Sequence, residues 1–211
     1  MIRLILVRHG ETEWNGQRRL QGQQDIGLSA AGREQVAALR SAISHLAPGH
    51  VVVSGLRRAQ ETAEVLGCEA QARDPRFNEA FLGEWEGRHS ADIRAADEQM
   101  YADWRAGKYR PPGAEGFAEM TDRVVDGVQA AVAEAAAAGA DTLMIVAHGG
   151  PVRAFLQAAV GLDPERTVPS HPASLSLVDV DPAAESLRTA GAVKLRLFNY
   201  SPAMSPLDPP D

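Results

Sequence analysis

Two apolar runs, Met1–Val7 and Thr142–Ala147, give way at once to the same pair of residues: His9-Gly10 behind Arg8 in the first, His148-Gly149 followed by Gly150 in the second. Short runs rich in Ile, Leu and Val that stop at a turn signal read as buried strands. In an open α/β sheet, ligands bind beyond the carboxyl ends of the strands. A chain that twice leaves a strand into His-Gly is therefore built to bring two imidazoles to one crevice. Arg8 adds a permanent cation there, and Gly10 allows a sharp turn or a close approach of the backbone. A helix is predicted from about Pro151 to Val160, with proline acceptable in its first turn. His148, Gly149 and Gly150 then lie at a helix N-terminus, where free N–H groups and the dipole favour an anion.

The chemistry suited to this set is phosphoryl transfer. A neutral imidazole can attack phosphorus and carry the group as a covalent phosphohistidine, which splits one difficult displacement into two. The negative oxygens must meanwhile be held by fixed donors, and a guanidinium supplies a bidentate fork for them. The competing reading, that either histidine is a satisfied structural residue, is the usual one for a lone histidine and loses force when the arrangement occurs twice.

The rest of the chain reads as one α/β domain, a three-layer α/β/α sandwich with a mostly parallel central sheet over residues 1–200. Residues 17–27 form a polar, glycine-bearing loop. Ser29 is placed to cap a helix that carries Val36, Leu39, Ile43 and Leu46 and stops at Pro48-Gly49. Val51–Val53 is a short strand, a second helix spans about Leu56 to Leu66, and a short strand follows near Ala70. Asp74–Gly87 is irregular. Ala91–Gly107 is predicted helical and mostly polar, and with the segment up to Glu119 it forms the expected lid. Phe117–Ala138 is a long alanine-rich helix closed by Gly139. Strands are predicted at Ser174–Val180 and Val193–Phe198, and a Pro-rich tail at 201–211.

Bulk properties exclude several classes. The net charge of −7 argues against a nucleic-acid surface, but not against a small anion held by local positive charge. A single cysteine, Cys68, rules out a disulfide framework and a cysteine-based zinc site. No apolar run approaches the roughly 18 residues of a membrane helix, and the N-terminus reads as a strand and not a signal peptide. The expectation is a cytoplasmic protein without membrane contact, metal or other cofactor. His9-Gly10-Glu11 has the His-x-Glu form of zinc deaminases but lacks the cysteine pair that would complete it. His45, His50, His89 and His171 fall outside every motif and are expected at the surface or at caps. Trp85, Tyr101 and Trp104 are expected to pack before they line a pocket.

Arg8-His9-Gly10-Glu11-Thr12-Glu13-Trp14-Asn15 resembles the signature of the histidine phosphatase family, the phosphoglycerate-mutase-like proteins. Ser54-Gly55-Leu56-Arg57-Arg58-Ala59, followed by Thr62-Ala63, is similar to that family's second motif, which implies Arg58 as a phosphate-binding arginine. Here Gly55 stands where an Asp is common and Glu61 where Gln is usual. Asn78 to Gly87 resembles the third motif, and the resemblance implies Glu79 as the proton donor; of the competing carboxylates, Glu84 is read as solvated and Glu86 as structural. A single carboxyl group can protonate the leaving oxygen and later deprotonate the water, at a gain of about 10²–10⁴-fold. The resemblance also implies Asn15 as a phosphate contact and Gln21-Gly22 as facing the substrate. Asp25–Gly32 matches a structural run, with Gly27 in place of the usual proline.

The family contains hydrolases and mutases. Lys108–Gly116 is shorter and less basic than the corresponding mutase stretch. Pro112-Gly113-Ala114-Glu115-Gly116 resembles the phosphatase version without its serine. The expectation is a metal-independent phosphatase acting on small phosphorylated metabolites, with phosphoglycerate mutase and a non-catalytic phosphate-binding module as the alternatives. A homodimer is the expected assembly.

Overall fold

The computed structural model describes residues 1–202; the predicted tail from residue 203 onward lies outside the described residues. Six strands, β1 (Ile2–Arg8), β2 (His50–Val53), β3 (Ala72–Arg73), β4 (Thr142–Ala147), β5 (Leu175–Val180) and β6 (Val193–Tyr200), form one sheet. Their order is β3-β2-β4-β1-β5-β6. The β1/β4, β2/β4 and β2/β3 pairings are parallel, while β5 runs against both β1 and β6. The sheet is thus mostly parallel, with one reversed strand near its edge.

The strands alternate between two cores, as the period of two requires. Leu4, Leu6, Leu143, Ile145 and Val52 face one apolar layer. Ile5, Val7, Met144, Val146, Val51 and Val53 face the other. Two long helices cover the first face: α7 (Phe117–Ala137) packs through Val124, Val128 and Val132, and α8 (Gly149–Val160) through Val152 and Phe155. The second face is covered by α2 (Ala30–Ala38), α3 (Arg40–Leu46) and α4 (Arg57–Leu66), through Val36, Ile43, Ala59 and Ala63. Both faces being covered explains why β1 and β4 read as continuous apolar runs.

Several boundaries differ from expectation for local reasons. The helix expected between Ser29 and Pro48 is two, α2 and α3. Leu39 donates its N–H to the Val36 carbonyl only three residues back, tightening the turn between them. Ser29 does cap α2, accepting from the Gly32 N–H at 3.0 Å. The helix expected over Ala91–Gly107 is likewise two, α5 (Ser90–Ala96) and α6 (Glu98–Arg105). Asp97 between them is extended, and its carboxylate caps α6 by accepting from Met100 N–H. The strand expected near Ala70 lies at Ala72–Arg73, and β6 runs on to Tyr200. A one-turn helix, α1 (Glu13–Gly16), was not foreseen; the Thr12 and Asn15 side chains close it as a reciprocal cap.

A third, smaller cluster stands apart from the two layers. Leu82, Trp85 and Ile93 are buried together, with Leu20, Met100, Tyr101, Trp104 and Tyr109 packed around them. Trp85 meets Trp104 edge-on at 5.4 Å and stacks on Tyr109 at 5.7 Å. This cluster builds the roof over the carboxyl ends of the central strands. No helix among the described residues is long and apolar enough to cross a membrane.

Candidate active site

The strand order does most of the assembly. β2, β4 and β1 are neighbours, with Val53, Val146 and Val7 level across them. Ser54, one residue beyond Val53, and His148 and His9, two residues beyond Val146 and Val7, therefore emerge together at one edge of the sheet. The two imidazoles stand 5.0 Å apart between ring centroids, inclined by 59°.

His9 is buried, and its Nδ1 lies 2.6 Å from the Gly10 carbonyl oxygen. A carbonyl only accepts, so Nδ1 carries the proton and donates it, leaving the Nε2 lone pair free. Burial holds His9 well below the usual imidazole range, reinforced by the charges of Arg58 and Arg8. The ring is neutral and presents the nitrogen that a nucleophile needs.

Arg58 is fully buried, in the first turn of α4. Its Nη1 donates to the Gln24 carbonyl and its Nη2 to the Gly22 carbonyl, both at 2.8 Å, and its Nε donates to His148 Nδ1 at 3.1 Å. Three of its five N–H donors are thus fixed and two remain. His148 is also fully buried, and its Nε2 contacts Ser54 Oγ at 2.7 Å. With Nδ1 accepting from a guanidinium, His148 Nε2 carries the proton and donates to the serine. Ser54 Oγ in turn donates to Asn78 Oδ1 at 2.8 Å. Both ring nitrogens of His148 are therefore engaged by the protein. Burial and the Arg58 charge keep this ring well below the usual imidazole range as well.

Arg8 ends β1, and its Nη1 donates to the Ser170 carbonyl. Its Nε is buried with no partner. Burial lowers the Arg8 guanidinium to about 10, against the attraction of Glu79, and burial lowers Arg58 to about 10 in the same way. Both arginines stay charged near neutrality.

Glu79 reaches the site from the loop after β3. Its Oε2 accepts from the Gly150 N–H at 3.2 Å and its Oε1 from the Ala80 N–H at 2.9 Å. The N-terminus of α8 thus holds a carboxylate. A Cβ on Gly150 would lie 2.1 Å from Glu79 Oε1, so any larger residue there would displace the carboxylate. The Glu79 loop is pinned from behind by Arg123. This side chain grips Glu115 with two hydrogen bonds of 2.6 and 2.7 Å and donates to the Arg76 and Glu79 carbonyls.

These groups line one cleft of about 180 Å³, together with Asn15, Gln21, Gly22 and Gly149. His148, fully buried, stands beside His9 at the head of the cleft and is joined to Arg58 and Ser54. The Asn15 oxygen is taken up by the cap of α1, where it accepts from the Thr12 N–H and hydroxyl. Gly22 has φ +53°, and a Cβ would collide with Glu86, whose carboxylate accepts from Gln23 N–H and Gln24 Nε2. Glu86 therefore shapes the loop, while Glu84 points to solvent. The two departures Gly27 and Glu61 meet in space. Glu61 accepts from Leu28 N–H, Arg33 and Arg57, and a Cβ on Gly27 would press against it at 2.9 Å.

Sequence reasoning missed Arg19, Arg105, Arg153, Glu115 and Tyr109, all of which line the cleft. Arg153 had a readable signal, since it lies four residues beyond Gly149 on the same face of α8. His171, expected at the surface or a cap, is half-buried, and burial and the Arg8 charge depress its imidazole. Trp104 both packs in the roof cluster and lines the cleft. Among the described residues, no group of three or more His, Cys, Asp or Glu gathers as a metal site.

A profile of the histidine phosphatase superfamily, branch 1, matches residues 4–192. The glucosyl-3-phosphoglycerate phosphatase of Mycolicibacterium vanbaalenii is 37% identical over 168 residues, covering 76% of this chain and 75% of that protein. A probable phosphoglycerate mutase of Serratia proteamaculans is 34% identical over 187 residues, 85% of each chain. Among solved structures, a mycobacterial glucosyl-3-phosphoglycerate phosphatase in complex with VO3 superposes with a TM-score of 0.79 at 29% identity, covering 94% of this chain and 99% of that one.

Proposed function

Because the chain belongs to the histidine phosphatase superfamily, branch 1, we propose that it hydrolyses small phosphomonoesters without a metal ion, through a phosphohistidine on His9. The observation that carries this reading is the Nδ1 contact to the Gly10 carbonyl, which leaves Nε2 of a neutral ring as the nucleophile. Glu79 enters the first step in its acid form, having taken a proton from solvent as the substrate binds; Nε2 attacks phosphorus, the bond to the leaving oxygen breaks, and Glu79 gives that oxygen its proton. In the second, Glu79 takes a proton from water, the water oxygen attacks phosphorus, and the P–N bond breaks. Arg8, with its unpartnered Nε, and Arg58, with two donors in hand, hold the phosphoryl oxygens through both steps. His148 keeps Arg58 in place, and Asn15, Gln21, Gly22 and Gly149 complete the wall on which the phosphate rests. A relative of the same fold, a mycobacterial glucosyl-3-phosphoglycerate phosphatase in complex with VO3, supports the phosphatase reading.

The test is a rapid quench with ³²P-labelled substrate. Wild-type protein is expected to carry an acid-labile label, and His9→Ala to lose both the label and turnover, by at least about 10⁴-fold. Addition of a chelator is expected to leave the rate unchanged. An acid-stable label, or full inhibition by chelator, would remove this reading. The similarity to a probable phosphoglycerate mutase favours a second reading, transfer of the phosphoryl group back to the same substrate. Isomerisation of a phosphoglycerate that outpaces its hydrolysis would establish that instead.

A further inference from the structure

No step of the reaction described above uses Asn78, the residue immediately before Glu79. Its place is nonetheless fixed on both sides. Phe77, one residue back, is buried in the first apolar layer, and the Asn78 N–H donates to the Pro75 carbonyl at 3.0 Å. One residue on, Glu79 Oε2 accepts from the Gly150 N–H. Between these anchors the Asn78 side-chain oxygen accepts twice, from Ser54 Oγ and from the Gly55 N–H, both at 2.8 Å. Gly55 admits it closely, since a Cβ there would lie 3.1 Å from Asn78 Oδ1. A backbone N–H can only donate, so the atom it meets is the oxygen of the carboxamide and not the nitrogen.

That oxygen fixes the direction of every hydrogen bond beyond it. A serine hydroxyl has one proton to give and two lone pairs to receive with. The Ser54 proton goes to Asn78, and its lone pairs take the Leu56 N–H at 3.2 Å and His148 Nε2 at 2.7 Å. The hydroxyl is then saturated and has no proton left for the imidazole. His148 Nε2 must itself carry a proton. A neutral ring has only one, so Nδ1 is bare and accepts from Arg58 Nε at 3.1 Å. Ser54, His148 and Arg58 are all fully buried, so a missing partner is not replaced from bulk solvent. Without the Asn78 acceptor the hydroxyl is free to turn its proton toward Nε2. The ring proton then moves to Nδ1 and faces the Arg58 N–H, donor against donor.

We infer that Asn78 is a positioning residue for Arg58: its oxygen sets the one direction of the line that runs through Ser54 and His148, and so selects the His148 tautomer that holds the guanidinium. The inference rests on the phosphatase reading above in taking Arg58 to hold phosphate, and it adds a residue to that reading. It also joins the two halves of the site, because the loop that carries the proton donor is the loop that anchors the arginine. A merely structural role, fastening that loop to the end of β2, needs only the Gly55 contact. It would leave the His148 tautomer untouched.

Two substitutions separate these roles. Asn78→Asp keeps an acceptor for both donors, whereas Asn78→Ala removes it. Long-range proton–nitrogen correlation spectra are expected to show the His148 proton on Nε2 alone in wild type and in Asn78→Asp. The ring protonated at Nδ1 is expected to appear in Asn78→Ala. The same variant should lower kcat/KM for p-nitrophenyl phosphate and raise the inhibition constant of inorganic phosphate, each by about 10- to 100-fold, the worth of a hydrogen bond to a charged group. Asn78→Asp should recover most of that loss. In a Ser54→Ala background, where the line is already cut, Asn78→Ala should cost nothing further. A wild-type proton on Nδ1, or an Asn78→Ala ring in the wild-type form alone, would overturn the inference. So would equal losses in Asn78→Ala and Asn78→Asp, or a loss that adds in full to that of Ser54→Ala. Should Asn78→Ala fail to fold, the spectra and rates of wild type and Asn78→Asp still decide the matter. A wild-type protein with the expected tautomer that fails to hydrolyse p-nitrophenyl phosphate would instead count against the phosphatase reading itself.

Discussion

The strand-end pocket and the roof above it are built by different rules. The pocket residues are fixed by the sheet: Arg8, His9, Ser54 and His148 follow strands that are buried on both faces and paired in register. The roof, from Leu82 to Tyr109, hangs on one small apolar cluster and a few side-chain ties. The pocket is therefore fixed by strand pairing, and on the proposed reading it would serve the phosphate while the roof bears on substrate selection. Damage to the first should abolish chemistry, and damage to the second should change selectivity and binding.

The largest effect expected from this contrast, after loss of His9, is at Glu79. Glu79→Gln should slow hydrolysis of alkyl phosphates by about 10²–10⁴-fold, and aryl phosphates with good leaving groups much less. Equal slowing across leaving groups would deny Glu79 its role as proton donor. Next is the roof. Trp85 is 3% exposed, and Trp85→Ala should cost about 3–5 kcal/mol locally. That loss should appear as a raised KM and as proteolytic cleavage within residues 90–116, while the main melting transition hardly moves. A global fall in Tm of the full size would show that roof and pocket unfold as one unit.

A smaller effect concerns acid. The folded-state values of His9 and His148 lie below that of an unfolded histidine, near 6.5. On acidification the unfolded chain takes up those protons first. The stability these rings contribute is thus complete above about pH 6.5 and is lost below it, toward their depressed values, by up to about 1.4 kcal/mol per pH unit for each. The fall in Tm between pH 7.5 and 5.5 should be smaller in His9→Ala than in wild type, and an identical fall would refute this account. The smallest effect is at the exposed Glu84, where Glu84→Ala should leave Tm within the scatter of surface substitutions, about ±0.5 kcal/mol, and the rate within twofold.

The same contrast governs how much could be read in advance. Strand-end chemistry is legible because apolar runs and the His-Gly pairs that follow them are adjacent in sequence; β4 was placed to the residue. The family motifs pointed to Arg58 and Glu79, and the structure brings both to the cleft. The resemblance could not reveal that Arg58 spends its Nε on His148, because that contact joins residues ninety positions apart. The roof was illegible for another reason. Asp97 breaks an apparently continuous helical stretch by capping its second half, and the cluster of Trp85, Trp104 and Tyr109 draws on three separate segments. Arg105 and Arg153 gave no sign in the sequence beyond helix spacing, since like charges brought together across the fold have no linear signature.

The hydrogen-bonded line from Arg58 through His148 and Ser54 to Asn78 joins α4, the end of β4, the end of β2 and the loop after β3. None of these segments can complete it with a sequence neighbour, so it closes only after the parallel strands have found their partners, a slow event for contacts so distant along the chain. In a refolding experiment, recovery of activity should trail recovery of helical circular dichroism and coincide with the final phase. A partly assembled molecule of this kind has no means of being a weak enzyme.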